Sequence, residues 1–197
     1  MTTTTNYEKH KSQNPAQKFL INRFYSVFLS LAKQVKPETI LDAGCGEGFT
    51  LVKLKRNGIG KVLSGVDFLQ DAITLGKRMY PGLKLTKGDI YKLPYKDKSF
   101  DLVICTEVLE HLEFPEKAIK EVMRVSKKYV LFSVPNEPIF QLSNFLRGRH
   151  FKTFGNHPEH INHWSGASFE KLLRKNKIRI ATRKQPFPWT LILGRVA

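Results

Sequence analysis

Two stretches of the chain gather side chains able to hold a cation or move a proton. One is "CTEVLEHLEFPEKA", with Glu107, Glu110, His111 and Glu113. The other is "FGNHPEHINHW", in which His157, His160 and His163 recur every third residue, with His150 just upstream. If Glu107 to His111 forms a helical turn, Glu107 lies beside Glu110 and His111, three and four residues on. Two carboxylates and an imidazole on one face can bind a hard divalent ion. They can equally act as a general base near neutral pH, or His111 can simply order a loop. H-x-x-H-x-x-H alone is a poor metal template, because on a helix the third side chain rotates off the face.

A second kind of chemistry is offered by "LDAGCGEG", which carries Asp42, Gly44, Gly46 and Gly48. Without Cβ atoms such a loop turns tightly and brings its backbone against a ligand. The spacing is G-x-G-x-G, neither the dinucleotide G-x-G-x-x-G nor the P-loop with its Gly-Lys-Ser/Thr. Two further acids follow in order. Asp67 in "SGVDF" stands where a carboxylate can accept both hydroxyls of a ribose. Asp89 in "KGDI" stands where it can accept an exocyclic amino hydrogen. Each acid alone could be a cap or turn residue.

The elements that must position these residues alternate. "AQKFLINRFYSVFLSLAKQV" places Phe19, Leu20, Phe24, Val27, Phe28 and Leu31 at helical spacing. "TILDA" is a strand that runs into the glycine loop and a helix stopped by Asn57-Gly58. "KVLSGVD", "LKLTKGDI", "SFDLVICTEV" and "KYVLFSVPN" predict four more strands, and the fourth strand overall is apolar enough to be buried on both faces. Helices are expected over "QDAITLGKRMY", over "FPEKAIKEVMRVS" with Pro115 in its first turn, and over "SGASFEKLLRKNK" with a Ser cap. Two closing strands are expected around Pro186 and Pro188. Alternation of this kind implies an α/β fold with a doubly wound, mostly parallel, seven-stranded sheet. Ligands in such sheets sit outside the carboxyl ends of the strands, which is where the acids fall.

Taken together, "LDAGCGEG", "GVD", "GDI", "FDLVICTEVLEHL" and "VPN" resemble the class I S-adenosylmethionine-dependent methyltransferases, the broad group that includes the ubiquinone-biosynthesis type. The resemblance runs from about Asn14 to the end. It implies that Gly44 and Gly46 pack against the methionine part of S-adenosyl-L-methionine while Asp42 orders the loop. It implies that Asp67 holds the ribose with Phe68 beside the adenine, that Asp89 and Ile90 read the adenine edge, and that Thr106 lies under the sulfonium. A weaker resemblance joins "EHINHW" and "WSGASF" to the small-RNA 3′-terminal 2′-O-methyltransferases. It implies a Mg or Mn site made by Glu107, Glu110, His111 and His160, with His111, His160 and Glu107 as the catalytic candidates. The segment departs from that pattern at His163, where an acid is expected, and at Asn162, where an aromatic is usual. Nothing resembles a hydride-transfer site, which argues against a nicotinamide oxidoreductase.

Three activities remain open on these residues: methyl transfer to an O or N nucleophile of a small molecule, metal-dependent 2′-O-methylation of RNA, and a non-catalytic module that binds cofactor or nucleic acid. The net charge of +16 would attract an anionic substrate, RNA among them. It is uneven, with five basic against seven acidic residues over 101–140 and eleven against two over 141–197. The run "FQLSNFLRGRHFKTF" interleaves Phe145, Arg147, Arg149, His150, Phe151, Lys152 and Phe154, a mixture that can stack bases and neutralise phosphates. Residues 1–13 read as a flexible lead-in without a hydrophobic signal core, and 14–197 as one domain with a lid or substrate segment at 137–165. No apolar run approaches the roughly 18–20 residues that span a bilayer. Cys45 and Cys105 form no C-x-x-C pair, so a cytoplasmic, reducing setting is expected.

Overall fold

The structure, a computed structural model, describes residues 7, 8, 11, 13–137 and 160–196. His150, His157 and the whole basic-aromatic run therefore lie outside the described residues, as does most of the expected lid. Of the N-terminal lead-in, Tyr7 is placed with its ring 6.4 Å from that of Phe49.

Helix α1 (Pro15–Gln34) starts at Asn14, whose side chain accepts the amides of Ala16 and Gln17, with Pro15 in the first turn. This satisfies two of the four amides a helix start leaves open. Strand β1 (Thr39–Ala43) leads through the glycine loop to α2 (Phe49–Arg56). Then come β2 (Val62–Asp67), α3 (Gln70–Met79), β3 (Lys84–Lys87), β4 (Phe100–Thr106) and α4 (Pro115–Val125). The chain closes with β5 (Ser126–Pro135), α5 (Gly166–Lys175), β6 (Arg179–Lys184) and β7 (Trp189–Arg195). Helix α5 carries its Ser165 cap, which accepts the Ser168 amide. The expected third strand is cut short: after Lys87 the chain turns, and Asp89 spends an oxygen on the Tyr91 amide.

The seven strands form one sheet in the order β3-β2-β1-β4-β5-β7-β6. Strands β1 to β5 pair in parallel, and β7 runs antiparallel between β5 and β6. The order reverses between β1 and β4, which makes the crevice beyond their carboxyl ends the switch point. Period-two alternation feeds a core on each face. On β4, Leu102 and Ile104 join Phe24, Phe28, Leu54 and Ile73 on the side of α1, α2 and α3. Val103 and Cys105 join Ile119, Val122, Phe169 and Leu173 on the side of α4 and α5. Phe28 and Phe169 are fully buried, and truncating either to alanine costs about 3–5 kcal/mol by analogy with other cores. Among the described residues no helix is long and apolar enough to cross a membrane.

Candidate functional site

At the rim of β1 the chain must reverse from strand to helix within a few residues. Gly44 does this at φ +86°, and a Cβ there would collide with the Val108 side chain, so this position excludes other residues twice over. Gly44 and Cys45 donate their amides to the Val66 carbonyl, which fastens the loop to β2. Gly46, at φ +52°, donates its amide to Asp67 Oδ2 at 2.7 Å. The other Asp67 oxygen accepts the Leu69 amide at 2.9 Å. The loop and the second-strand acid thus form one unit, and each Asp67 oxygen keeps a further lone pair for a ligand. Burial raises the Asp67 carboxyl above its usual range, against the pull of the Leu69 and Gly46 amides.

Asp42, at the end of β1, is buried, and its Oδ1 has no hydrogen-bond partner among the described residues. Burial, and then the charge of Asp67, push its carboxyl up to about 7. An acid left in this condition beside a glycine loop fits a site that expects a polar ligand. The other residues expected at the adenosyl site lie at or near the surface. Phe68 is 70% exposed beside an exposed Leu69. Asp89 is exposed, and Ile90 is half-buried against the α4-side core. Thr106 ends β4 half-buried, paired in register with Ser133 of β5.

The turn after β4 corrects the helical reading of "TEVLEH". Glu107 sits at φ +57°, a left-handed conformation uncommon outside glycine, and only Leu109–His111 coil, as a 3-10 turn. The Glu107 side chain is drawn to the neighbouring strands. Its Oε1 accepts Ser133 Oγ at 2.8 Å and its Oε2 accepts Trp189 Nε1 at 2.6 Å. Glu107 therefore does not join the group that could hold a cation. That group is Glu110, His111 and His160, whose candidate ligand atoms lie within 4.8 Å of one another. The His111 and His160 rings meet edge to face, 5.0 Å apart, and Glu110 is buried.

His160 reaches this position because the returning chain is stitched to the turn. Ile161 and Asn162 donate their amides to the Glu110 carbonyl. Asn162 Nδ2 adds bonds to the carbonyls of Leu112 (2.6 Å) and Leu109 (3.3 Å). Asn162 is thus the residue that docks the segment. His163 Nδ1 lies 3.5 Å from Glu137 Oε1.

Three residues at the rim escaped the sequence reading: Ser133, Glu137 and Trp189. Glu137 comes two residues after strand β5, so the rule that functional residues follow strands covers it. Trp189 opens β7, and because that strand is reversed its start lies opposite Pro135 at the same rim.

Residues 41–133 match the sequence family described as "Methyltransferase domain". Norajmaline N-methyltransferase from Rauvolfia serpentina is 36% identical over 126 residues, covering 61% of this chain and 40% of that one. The chain spans less than half the length of several such curated relatives. Ubiquinone biosynthesis O-methyltransferase from Coxiella burnetii is 26% identical over 197 residues, covering 88% and 82% of the two chains. The fold is shared with magnesium protoporphyrin IX methyltransferase from Synechocystis PCC 6803, solved with bound SAH (TM-score 0.70, 15% identity, 98% and 95% covered). The glycine loop tied to the acid of β2, the sheet order and the family match over residues 41–133 agree, and the chain has the Rossmann-like fold of the class I S-adenosylmethionine-dependent methyltransferases.

Proposed function

We propose that the protein transfers a methyl group from S-adenosyl-L-methionine to an oxygen or nitrogen nucleophile of a small molecule. The observation that carries this reading is the 2.7 Å bond between the Gly46 amide and Asp67, beside the buried Asp42 oxygen that has no partner among the described residues. Gly44, Gly46 and Asp42 would hold the methionine portion, and Asp67 the ribose. Phe68, Asp89 and Ile90 would border the adenine, and Thr106 the reacting centre. When bound, the cofactor supplies an electrophilic sulfonium methyl. The chain's own contribution is alignment and removal of the acceptor's proton. His111 and His160 are the bases offered at this rim, and Glu110 packs beside them. An N-methyltransferase and an O-methyltransferase among the relatives fit either kind of acceptor atom.

Isothermal titration with S-adenosylmethionine tests this reading. Micromolar binding by the wild type and a loss of at least about tenfold, or 1.4 kcal/mol, in Asp67→Ala are expected. Binding that is absent, or indifferent to that substitution, refutes it. Binding without methyl transfer to any member of a broad acceptor panel would favour a non-catalytic module.

The Glu110–His111–His160 group favours a second reading, in which Mg or Mn held there polarises a ribose hydroxyl of RNA. Carboxylate and imidazole ligands suit such an ion. The net charge of +16 suits a polyanion. Mn titration of the wild type and of His160→Ala tests it, together with the salt dependence of RNA binding. Activity untouched by chelator refutes the metal.

A further inference from the structure

We infer that Glu137, a residue no part of the methyl-transfer reading uses, is a positioning residue that fixes the tautomer of His160. Glu137 lies two residues past the end of β5 and is held at both ends of a short path. Its amide donates to the Trp164 carbonyl at 3.0 Å, and the preceding Asn136 amide donates to the Pro188 carbonyl at 2.9 Å. The carboxylate is buried at 3% exposure, and its Oε1 lies 2.7 Å from His160 Nδ1. Only 7% of the His160 side chain is exposed.

A carboxylate oxygen at this distance accepts a hydrogen bond, and in doing so it holds the proton on Nδ1. In the neutral ring Nε2 then holds the lone pair. A lone pair on Nε2 can take a proton from an acceptor, or ligate an ion together with Glu110 and His111. Free histidine favours the opposite tautomer, with the proton on Nε2, which could do neither. Burial of a carboxylate is costly unless it is well bonded, and the second Glu137 oxygen finds no hydrogen bond among the described residues. Stability alone would favour an apolar residue here. The competing imidazole is His163, whose Nδ1 is farther from the same oxygen, at 3.5 Å.

The tautomer is a property of the cofactor-free protein and can be read without any activity. Its use in catalysis rests on the methyl-transfer reading above. Two-bond 1H–15N correlation spectra on 15N-histidine-labelled full-length protein, recorded at alkaline pH, give the readout, with the His160 signals identified by their loss in His160→Gln. A protonated, pyrrole-type Nδ1 and a pyridine-type Nε2 are expected in the wild type. Glu137→Gln should keep this pattern, since its carbonyl still accepts. Glu137→Ala should move the proton to Nε2, lower kcat by about 10–100-fold as loss of such a partner does elsewhere, and leave the affinity for S-adenosylmethionine unchanged. A wild-type spectrum with the proton on Nε2 overturns the inference whatever the variants do. So does a Glu137→Ala protein that keeps the wild-type tautomer. A correct tautomer with no methyl transfer would leave the assignment standing and count against the enzymatic reading instead.

Discussion

Relative to the wild type, Asp42→Asn should gain stability in the cofactor-free protein as pH rises from 4 to 8. The carboxyl's ordinary value of 3.8 is pushed up to about 7, mainly by burial and then by Asp67. Between those two values the folded chain holds a proton that the unfolded chain releases. Stability contributed by this group therefore falls as pH rises from about 4 to about 7, and stays low above that. The full penalty is about 4 kcal/mol at pH 8, and solvent does little to relieve it because Asp42 is only 1% exposed. Asparagine cannot ionise, so the variant escapes this loss. It introduces an amide that must also be buried, but that cost does not depend on pH and cancels when two pH values are compared. Urea unfolding of both proteins at pH 4 and pH 8 gives the comparison. The stability difference, variant minus wild type, should be more positive at pH 8 than at pH 4 by a few kcal/mol. A difference that is the same at both pH values would refute the claim that a costly buried acid is kept at the end of β1. At pH 8 the variant should also bind S-adenosylmethionine more weakly, if the acid is retained to order the loop against its ligand.

Trp189→Phe removes the indole N–H that meets Glu107 Oε2 at 2.6 Å while keeping a ring against Phe24, whose centroid is 5.2 Å away. A hydrogen bond to a charged group is worth about 1.5–3 kcal/mol, so urea unfolding should register a loss of that order, and an unchanged midpoint would contradict the geometry. Asp101→Asn probes the far end of the sheet. Burial pushes the Asp101 carboxyl up, but hydrogen bonds from Thr39, Lys127 and Glu38 prevail and hold it at about 2. Its contribution is present above about pH 4 and lost as pH falls toward 2, so the variant should be less stable at pH 6 and converge on the wild type in acid unfolding. Parallel acid curves would count against it.

The sheet was legible because strands buried on both faces leave continuous apolar runs, as in "LVIC", and because β1, β3 and β4 run straight into a glycine or an acid. The Ser165 helix cap and the two-strand closure could be read from equally local signals, whereas the Asn14 cap was not picked out. The turn after β4 could not. Periodicity assigns Glu107, Glu110 and His111 to one helical face, but the chain reverses at Glu107 through a left-handed residue. Nothing in a Glu-Val-Leu-Glu-His string announces that reversal. Its cause is tertiary, in Ser133 and Trp189, which lie 26 and 82 residues away. Glu137 was hidden differently. It opens a stretch with no period, so only its place after a strand marked it. Trp189 was missed because the rule for functional positions was applied to parallel strands, and β7 is reversed.

The reversed strand matters because it lets the two halves of the site share one support. Val108, on the turn after β4, fills the space that a side chain at Gly44 would occupy. The glycine loop therefore cannot shift without moving the turn that carries Glu110 and His111. One residue earlier, Glu107 is clamped to Ser133 on β5 and Trp189 on β7, and Trp189 packs edge-on against Phe24 of α1. The returning segment with His160 hangs on the same turn through the Glu110 carbonyl and Asn162. Methyl transfer asks for reacting atoms held in line within a few tenths of an ångström, and misplacement by about 1 Å can cost 100-fold in rate. A base mounted on an independent lid would drift relative to the donor. Here the base candidates and the glycine loop are both referred to Val108 and the end of β4, so they share one register.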